Sequence, residues 1–229
     1  MTAGAVGMQG SLAKAIVIGS LALVLAACSG GGAKPKPVEL GPNAALIGVR
    51  QAWSGRVGPV GFPLNIAVNG ERVTVASSDG TVMALDSASG RELWRTKATE
   101  ALAAGVGSDG KAAAVVTRSN MLVVFREGRE VWRVRIPAQV YTAPLVAGER
   151  VFVLAGDRSV LAFDGASGRR LWTQQRPGDA LVLREAGVIR AVGDTVVAGL
   201  SSRMVGLNPT NGSVRWEVPI ATPRGANDV

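Results

Sequence analysis

The fold is decided by a stretch that the chain repeats: ALDSASGRELW, at residues 84–94. It returns as AFDGASGRRLW at residues 162–172 and, with more changes, as GLNPTNGSVRW at residues 206–216. A shorter copy, FREGREVW at residues 125–132, lacks two residues of the turn. Each copy ends in a tryptophan, and successive tryptophans of the chain lie 38 to 44 residues apart: Trp53, Trp94, Trp132, Trp172 and Trp216. A period of about 40 residues is typical of a repeat protein.

Each repeat is predicted to form four short strands. Runs of β-branched and apolar residues, such as Val151–Ala155, are bounded by turn residues. In the first complete repeat the predicted strands are Leu64–Val68, Arg72–Ala76, Thr81–Leu85 and Glu92–Thr96. Asn69-Gly70 is expected to supply the positive φ angles of a tight hairpin turn between the first two strands. Four antiparallel strands in each repeat of about 40 residues form one propeller blade, so the sequence predicts an all-β propeller.

The tryptophans are predicted to be structural. A large ring at a fixed place in each blade can pack against the next blade and bury much of its area. We assign this blade-docking role to Trp94, Trp132, Trp172 and Trp216. A ligand cage built from tryptophans is the alternative.

Residues 1–27 are predicted to be a secretion signal. Ala15–Leu25 is apolar, but its eleven residues are too few for a transmembrane helix, which needs about 20. It leads into Leu25-Ala26-Ala27-Cys28, which resembles the lipobox of bacterial lipoproteins. Cleavage would make Cys28 the first residue, acylated on its thiol and its amine, and several acyl chains give stable anchoring. Met8 is an alternative start.

Residues 28–42 are expected to be the acylated cysteine and a flexible tether, because glycine and proline dominate them. The propeller domain is expected to occupy residues 43–229. Ser29, rather than an aspartate, follows the cysteine. By resemblance to the sorting signals of Gram-negative lipoproteins, this implies the outer membrane, with the domain facing the periplasm.

The composition excludes several kinds of catalysis. The chain has no histidine and a single cysteine, which removes Ser-His-Asp triads, Cys-His pairs and imidazole metal ligands. No pair of carboxylates stands out as an acid and a base, so we expect no enzyme, no metal and no cofactor. The mature chain would carry 24 basic and 17 acidic residues, scattered through turns. This distribution suits solubility and a mild attraction to anionic lipid or an acidic partner, and not nucleic-acid binding.

The repeats resemble the pyrroloquinoline-quinone-type propeller family, whose blades end in an Asp-x-x-x-Gly turn followed by a docking tryptophan. With its lipobox, tether and non-catalytic blades, the chain is similar to lipoprotein members of that family in the outer-membrane β-barrel assembly machine. The resemblance implies a scaffold that binds the periplasmic domain of the barrel subunit BamA and helps outer-membrane proteins to fold and insert. Unfolded outer-membrane proteins are a further expected partner.

The resemblance also implies a longer chain. Such relatives have eight blades, whereas this sequence supplies about four, and it stops within Ala221–Val229, which resembles a mid-chain linker. Ile47–Val57, which carries Trp53, resembles one strand of a blade whose other strands would come from a missing C-terminal half. We therefore expect a truncated propeller.

A binding segment is expected between the third and fourth repeats. The last interval between tryptophans is the longest, and its extra residues lie near Gln174–Glu185; loops on a rigid scaffold often bind partners. Leu181 and Leu183 would share one face of a strand, and Arg184 would lie on the other. From the residues alone, the two leucines fit the core of an inner strand somewhat better than a binding surface. The family has a matching Leu-x-Leu-Arg segment that binds BamA, and the resemblance assigns this role to Leu181, Leu183 and Arg184.

Two other functions are alternatives. A fragment of a quinone-dependent dehydrogenase would have similar blades, but that family usually shows a vicinal cysteine pair and calcium-binding side chains, and this chain has only one cysteine. The second is a membrane-tethered propeller that binds a ligand in the periplasm.

Overall fold

The computed structural model describes residues 50–175, 187–200 and 203–220. These residues belong to one compact unit, Arg50–Val229. Within the described ranges there are sixteen β-strands and no helix. The signal sequence, Cys28 and the tether lie outside these ranges, and their assignments stay predictions.

The strands form four antiparallel sheets of four strands, each in chain order. Blade 1 consists of β1 (Ala67–Asn69), β2 (Arg72–Ala76), β3 (Thr81–Asp86) and β4 (Glu92–Lys97). Blade 2 consists of β5 (Gly107–Ser108), β6 (Ala112–Val116), β7 (Met121–Arg126) and β8 (Arg129–Arg135). Blade 3 consists of β9 (Leu145–Ala147), β10 (Arg150–Leu154), β11 (Val160–Asp164) and β12 (Arg170–Gln174). Blade 4 consists of β13 (Val188–Val192), β14 (Thr195–Leu200), β15 (Arg203–Leu207) and β16 (Val214–Pro219).

The first strands of neighbouring blades lie beside one another, so β1, β5, β9 and β13 form the inner edge of the array. This arrangement of four-stranded sheets around shared inner strands is that of a β-propeller. The all-β propeller prediction is therefore confirmed, with four blades in the described residues.

The first predicted strand is shorter than expected. β1 begins at Ala67, so residues 64–66 are not part of the sheet. They are held instead against the segment that leads into blade 2, where Asn65 Nδ2 donates a hydrogen bond of 2.6 Å to the carbonyl of Val106. A side-chain contact with this segment has replaced part of the backbone ladder.

The first hairpin turn also differs from its prediction. Asn69 is the last residue of the ladder, so the turn residues are Gly70 and Glu71. Only Gly70 has a positive φ, +57°, which is the pattern of a hairpin turn with glycine first. In the matching turn of blade 3, Gly148 and Glu149 both have positive φ, 56° and 59°.

Each blade carries the same irregularity where its third strand meets its fourth. The register shifts by one residue between Ala84 and Leu85 in blade 1 and at the corresponding place in the other blades. A β-bulge of this kind bends the strand and re-aims its side chains. The tryptophans pair with the residue just before the shift: Ala84 with Trp94, Val124 with Trp132, Ala162 with Trp172 and Gly206 with Trp216.

The indole rings lie on turn glycines of the next blade. A Cβ atom on Gly168 would stand 2.6 Å from the Trp132 ring, and one on Gly212 would stand 2.6 Å from the Trp172 ring. The two glycines have φ of +72° and +74°, a conformation that residues with side chains rarely adopt. Glycine is thus required at this position both for the turn and for the contact. We call this contact the indole–glycine contact.

Trp53 makes the same contact with blade 1. A Cβ atom on Gly90 would stand 2.6 Å from the Trp53 ring, whose Nε1 donates a hydrogen bond of 2.9 Å to the Ser87 carbonyl. Residues 50–57 are not in a strand, so the strand expected over Ile47–Val57 is not formed in its described part. A strand needs a neighbour for its backbone hydrogen bonds, and the described residues supply none there.

Apolar side chains are buried between the blades rather than in one central core. One cluster joins blades 1 and 2, a second joins blades 2 and 3, and a third joins blades 3 and 4. Phe125, Phe163 and Phe152 are the fully buried aromatic residues of these three clusters in turn. A smaller cluster covers the outer side of blade 1 with Trp53 and Val57. Each blade therefore depends on a neighbour on each side to bury its two faces.

Carboxylates and amides hold the longer turns that precede the docking glycines. Asp86 Oδ1 accepts hydrogen bonds from Ser89 N at 2.8 Å and Ser89 Oγ at 2.6 Å, and Asp164 makes the same pair of bonds with Ser167. These bonds lower the pKa of each carboxyl group below its ordinary value, and the bond from the serine hydroxyl has the largest effect. Asn208 takes the same place in blade 4, which shows that the turn requires the acceptor oxygen and not the charge.

The indole–glycine contact predicts a large difference between two alanine substitutions. Gly168→Ala should destabilise the domain by about 1–3 kcal/mol more than Gly148→Ala, because only the first places a Cβ atom against an indole ring. Both glycines have positive φ and share the backbone strain of about 1–2 kcal/mol, and a Cβ atom on Gly148 would meet nothing within 4 Å. Urea unfolding of the two variants measures the difference, and equal losses would show that the ring contact contributes nothing.

Candidate functional site: the connection end of the blades

The connection end is the end of the blades at which the fourth strand of one blade leads into the first strand of the next. Residues 98–106 join blades 1 and 2, and residues 136–144 join blades 2 and 3, with nine residues in each case. Residues 175–187, thirteen in number, join blades 3 and 4. The extra residues that the sequence analysis singled out therefore belong to a connection between blades.

Hydrogen bonds tie these connections to the turns beside them. In the first connection, Leu102 N donates to Ser78 O at 3.0 Å, and Ala101 O accepts from Arg118 N at 2.9 Å. Two turns of neighbouring blades are thereby linked through one connection. Two further bonds continue the series: Gly156 N to Gln139 O at 2.7 Å, and Gly187 N to Thr142 Oγ1 at 2.8 Å. The last bond fixes the end of the long connection to the connection before it.

A small cavity opens at the connection end beside the inner strands, with a volume of about 110 Å³. It is lined by segments that lead into the first strands, with Leu64 and Tyr141 among their residues, and by Arg190 of β13 itself. Arg190 contributes a positive charge, and its Nη1 donates to the Ile189 carbonyl at 3.2 Å. Ordinary small-molecule sites have volumes of roughly 300 Å³ or more, so this cavity is of a size to hold one side chain of a partner.

The predicted partner-binding residues Leu181, Leu183 and Arg184 belong to the long connection, and they lie outside the described residues. The described residues fix its two ends, because β12 ends at Gln174 and the Gly187 backbone is hydrogen-bonded to Thr142. The binding assignment for the three residues stays a prediction.

The sequence analysis missed a polar consequence of the shortened repeat. Three tryptophans donate their indole N–H to a turn carbonyl of the next blade: Trp53 to Ser87, Trp132 to Gly165 and Trp172 to Pro209, at 2.9 to 3.1 Å. Trp94 Nε1 is buried and has no such partner in the described part of the chain. Blade 2 closes its turn with only Glu127 and Gly128, both at positive φ. The residue whose carbonyl would accept this bond is one of the two that the shorter copy FREGREVW lacks. Its absence from the sequence was the signal that could have predicted the lost hydrogen bond.

Trp216 occupies the docking position of blade 4, but it lies over its own sheet. A Cβ atom on Gly206 would stand 2.2 Å from the Trp216 ring. The side chain is 39% exposed, and no described residue follows blade 4 to receive it as Gly168 receives Trp132.

In the described ranges, no group of three or more Cys, Asp or Glu side chains is placed to hold a metal ion. The same ranges contain no helix with the length and apolarity to cross a membrane. The pKa of Asp79 is lowered to about 2, chiefly by the hydrogen bond from the Ser77 hydroxyl and then by that from Thr81 N. This carboxylate holds a turn between strands, which is a structural role.

Comparison with known proteins decides the family. The family model described as "Outer membrane protein assembly factor BamB" matches residues 50–229. The chain belongs to the BamB family. A curated BamB of Bordetella pertussis is 39% identical over 198 residues, which cover 85% of this chain and 51% of the relative. A BamB of Burkholderia pseudomallei is 32% identical over 212 residues, covering 90% of this chain and 56% of the relative. The chain thus spans about half the length of the curated BamB relatives that it matches.

Solved structures agree on the fold. The crystal structure of BamB from Moraxella catarrhalis superposes with a TM-score of 0.59 at 23% identity, covering 70% of this chain and 49% of that one. A europium-containing methanol dehydrogenase superposes with a TM-score of 0.57 at 17% identity. At these identities the likeness concerns the propeller alone. The names of the BamB relatives are those of an assembly factor, in agreement with the prediction of a chain that is not an enzyme.

The missing acceptor beside Trp94 predicts unequal effects of removing the indole N–H. Trp172→Phe should destabilise the domain by about 1 kcal/mol more than Trp94→Phe, because only Trp172 loses a hydrogen bond. Both changes replace an indole by a smaller ring at the same place in a blade, and the looser contact of Trp94 with its glycine changes the difference in the same direction. Chemical unfolding of both variants is the measurement, and a larger loss for Trp94→Phe would mean that its N–H is bonded in solution.

Proposed function

We propose that the chain acts as a non-catalytic scaffold lipoprotein of the outer-membrane β-barrel assembly machinery. In this role it binds the periplasmic domain of BamA and aids the folding and insertion of outer-membrane proteins. The observation that carries the proposal is the match of residues 50–229 to the BamB family. The whole activity belongs to relatives about twice as long, so the part assigned to these four blades is the contact with BamA.

The connection end supports this assignment. Its connections and turns are hydrogen-bonded to one another, so a segment held there is presented by a rigid support. A binding segment on such a support loses less conformational freedom on association than a free loop does. The long connection between blades 3 and 4 is the element that departs most from the repeat, and insertions on a rigid scaffold are where binding sites are often found.

Within the long connection, we propose that Leu181, Leu183 and Arg184 contact BamA. The two leucines alternate, so an extended segment would offer them on one face, and Arg184 would bring a charged group on the other. Apolar anchors together with an arginine are a common combination at the centre of protein interfaces. The cavity is lined by Gly187, the described residue at the end of this connection, and it could receive one apolar side chain of the partner.

The proposal predicts the loss of a specific interaction. The triple variant Leu181→Ala, Leu183→Ala, Arg184→Ala should bind the isolated periplasmic domain of BamA at least about 30-fold more weakly than the unchanged chain, because it removes all three anchors. Binding would be measured by pull-down and by titration. Val182→Ala with Glu185→Ala, in the same segment, is the matched control and should bind almost normally.

Far-ultraviolet circular dichroism and tryptophan fluorescence must show that each variant stays folded. If the folded triple variant binds as well as the unchanged chain, we would conclude that both leucines belong to the core and that BamA contacts another part of the chain. No binding by the folded unchanged chain would contradict the assignment of the BamA contact to these four blades.

We also propose that Cys28 carries the lipid that holds the protein at the periplasmic face of the outer membrane. The support is the lipobox-like sequence Leu25-Ala26-Ala27-Cys28 and the glycine- and proline-rich residues that follow it. Fourteen tether residues reach at most about 50 Å when fully extended, so the blades would stay near the membrane.

Metabolic labelling with radioactive palmitate tests the anchor. The unchanged chain should incorporate the label, and Cys28→Ser should incorporate none, because no other cysteine is present to accept an acyl chain. Ser29→Ala keeps the cysteine and should be labelled like the unchanged chain. Label on the Cys28→Ser variant would disprove acylation at this residue.

A further inference from the structure

Blade 2 has a positive group where the other blades have the acceptor of their longer turn. Arg126 takes the place of Asp86, Asp164 and Asn208 at the end of the third strand. Its guanidinium reaches blade 3, where Nη2 donates a hydrogen bond of 3.2 Å to the Gly165 carbonyl. This site lies at the docking-turn end, which we define as the end of the blades that carries the docking glycines, opposite the connection end.

A second arginine lies directly opposite the first. Arg129 is the Cα partner of Arg126 across the hairpin that joins β7 and β8. Like charges at directly opposite positions of a sheet repel each other and destabilise the pair. These two charges therefore do not serve the stability of the hairpin in which they lie.

The neighbouring turn of blade 3 adds two more arginines. Arg169 and Arg170 follow Gly168, the glycine on which the Trp132 ring lies. We call the four residues at this junction the arginine patch: Arg126, Arg129, Arg169 and Arg170. All four are exposed, and none of them forms an ion pair within the described ranges.

The carboxylates beside the arginine patch do not cancel its charge. Two of them are ion-paired with arginines outside the patch: Glu127 with Arg72, and Glu130 with Arg133. The other two are Asp164, which accepts hydrogen bonds from Ser167 in its own turn, and Glu149 of the adjacent hairpin turn. Four arginines thus stand beside two carboxylates that form no ion pair in the part of the chain described, so the patch is positive.

The chain enters the blades at the same end. Trp53 lies at the docking-turn end, on Gly90 and with its Nε1 bonded to the Ser87 carbonyl. By Pro59 the chain has reached the connection end, where the Pro59 carbonyl accepts a hydrogen bond of 2.8 Å from Ser78 N. The residues that precede Trp53 therefore join the blades on the side that carries the arginine patch.

We infer that the arginine patch binds the anionic lipid headgroups of the membrane in which Cys28 is anchored. This inference rests on the lipid anchor of the proposed function. A guanidinium can donate paired hydrogen bonds to a phosphate, and basic side chains are attracted to an anionic bilayer surface within a Debye length, about 10 Å at 0.1 M salt. The tether supplies proximity, and the patch supplies orientation. The docking-turn end would face the bilayer, and the connection end, with the proposed contact to BamA, would face away from it.

Quenching of a fluorophore by the bilayer surface tests this orientation. Because lipid blocks Cys28, one added cysteine is a unique attachment site, and it would be Ala166→Cys at the docking-turn end or Gln139→Cys at the connection end, both exposed. The acylated chain would be reconstituted in vesicles of phosphatidylcholine alone or of an equal mixture with phosphatidylglycerol, with a quencher on the headgroups. From neutral to anionic vesicles, we expect quenching to rise at least about twofold for the label at residue 166, and not to rise for the label at residue 139.

A pair of double variants assigns the effect to the patch. Arg129→Gln with Arg170→Gln should abolish the rise, and the fold should be kept because neither side chain has a hydrogen-bond or ion-pair partner among the described residues. Arg118→Gln with Arg135→Gln removes two exposed arginines at the connection end and is the matched control, which should keep the rise. Salt at about 1 M, where the Debye length is about 3 Å, should abolish the rise in the unchanged chain. Circular dichroism checks the folding of each variant.

Flotation of the vesicles separates the anchor from the patch. A chain that floats with both kinds of vesicle but shows no rise at residue 166 would overturn the inference while leaving the anchor intact, and an acidic segment of a protein would then be the remaining ligand of the patch. A rise that survives the Arg129→Gln and Arg170→Gln changes would also overturn it. A chain that floats with neither kind of vesicle would contradict the anchor proposed at Cys28, and the inference with it.

Discussion

The contact between an indole ring and a turn glycine is the constraint on which the array of blades depends. It requires a glycine with positive φ, a turn that brings this glycine to the blade surface, and a bulge that aims the tryptophan at it. A Cβ atom on the glycine would overlap the ring, so the contact leaves no room for substitution. Blade 2 keeps the contact in a looser form: a Cβ atom on Gly128 would stand 3.3 Å from Trp94 Cβ. Because the turn of blade 2 is shorter, the indole N–H of Trp94 has no acceptor among the described residues.

Burial between blades follows from the same geometry. Alternate residues of one strand face opposite neighbours, so that Val151 and Val153 belong to one cluster while Phe152 and Leu154 belong to another. Stability is then a sum of neighbour contacts, as in other repeat arrays. The surface ion pairs, such as Arg95 with Glu92 and Arg133 with Glu130, are exposed and contribute little by comparison. Among the described residues, the outer face of blade 1 is covered by Trp53 and Val57, whereas apolar side chains of blade 4 such as Val218 are exposed.

The proposed function depends on the segments that the blades hold in place and not on a catalytic group within the blades. In the described part of the chain, the polar groups with shifted pKa, such as Asp79 and Asp164, are engaged in turns. The departure from the repeat is the connection between blades 3 and 4, held at Gly187 by the neighbouring connection. A rigid scaffold that presents one longer segment is suited to binding a protein partner, and the BamB family match gives that partner a context.

The sequence by itself determined the blades. Strands, turns and docking tryptophans recur with a period of about 40 residues, and strand alternation and turn glycines are local properties that the residue pattern reports directly. It also located the longest connection, because an insertion changes the spacing of the tryptophans. Only the tertiary structure decided where β1 begins, since Asn65 bonds to Val106 of the first connection, and how Trp53 docks without a strand. It alone showed that, within the described residues, Trp94 Nε1 has no acceptor and apolar side chains of blade 4 are exposed. These features depend on which blade stands beside which residue, and contacts between residues more than 30 positions apart are not encoded in any local pattern.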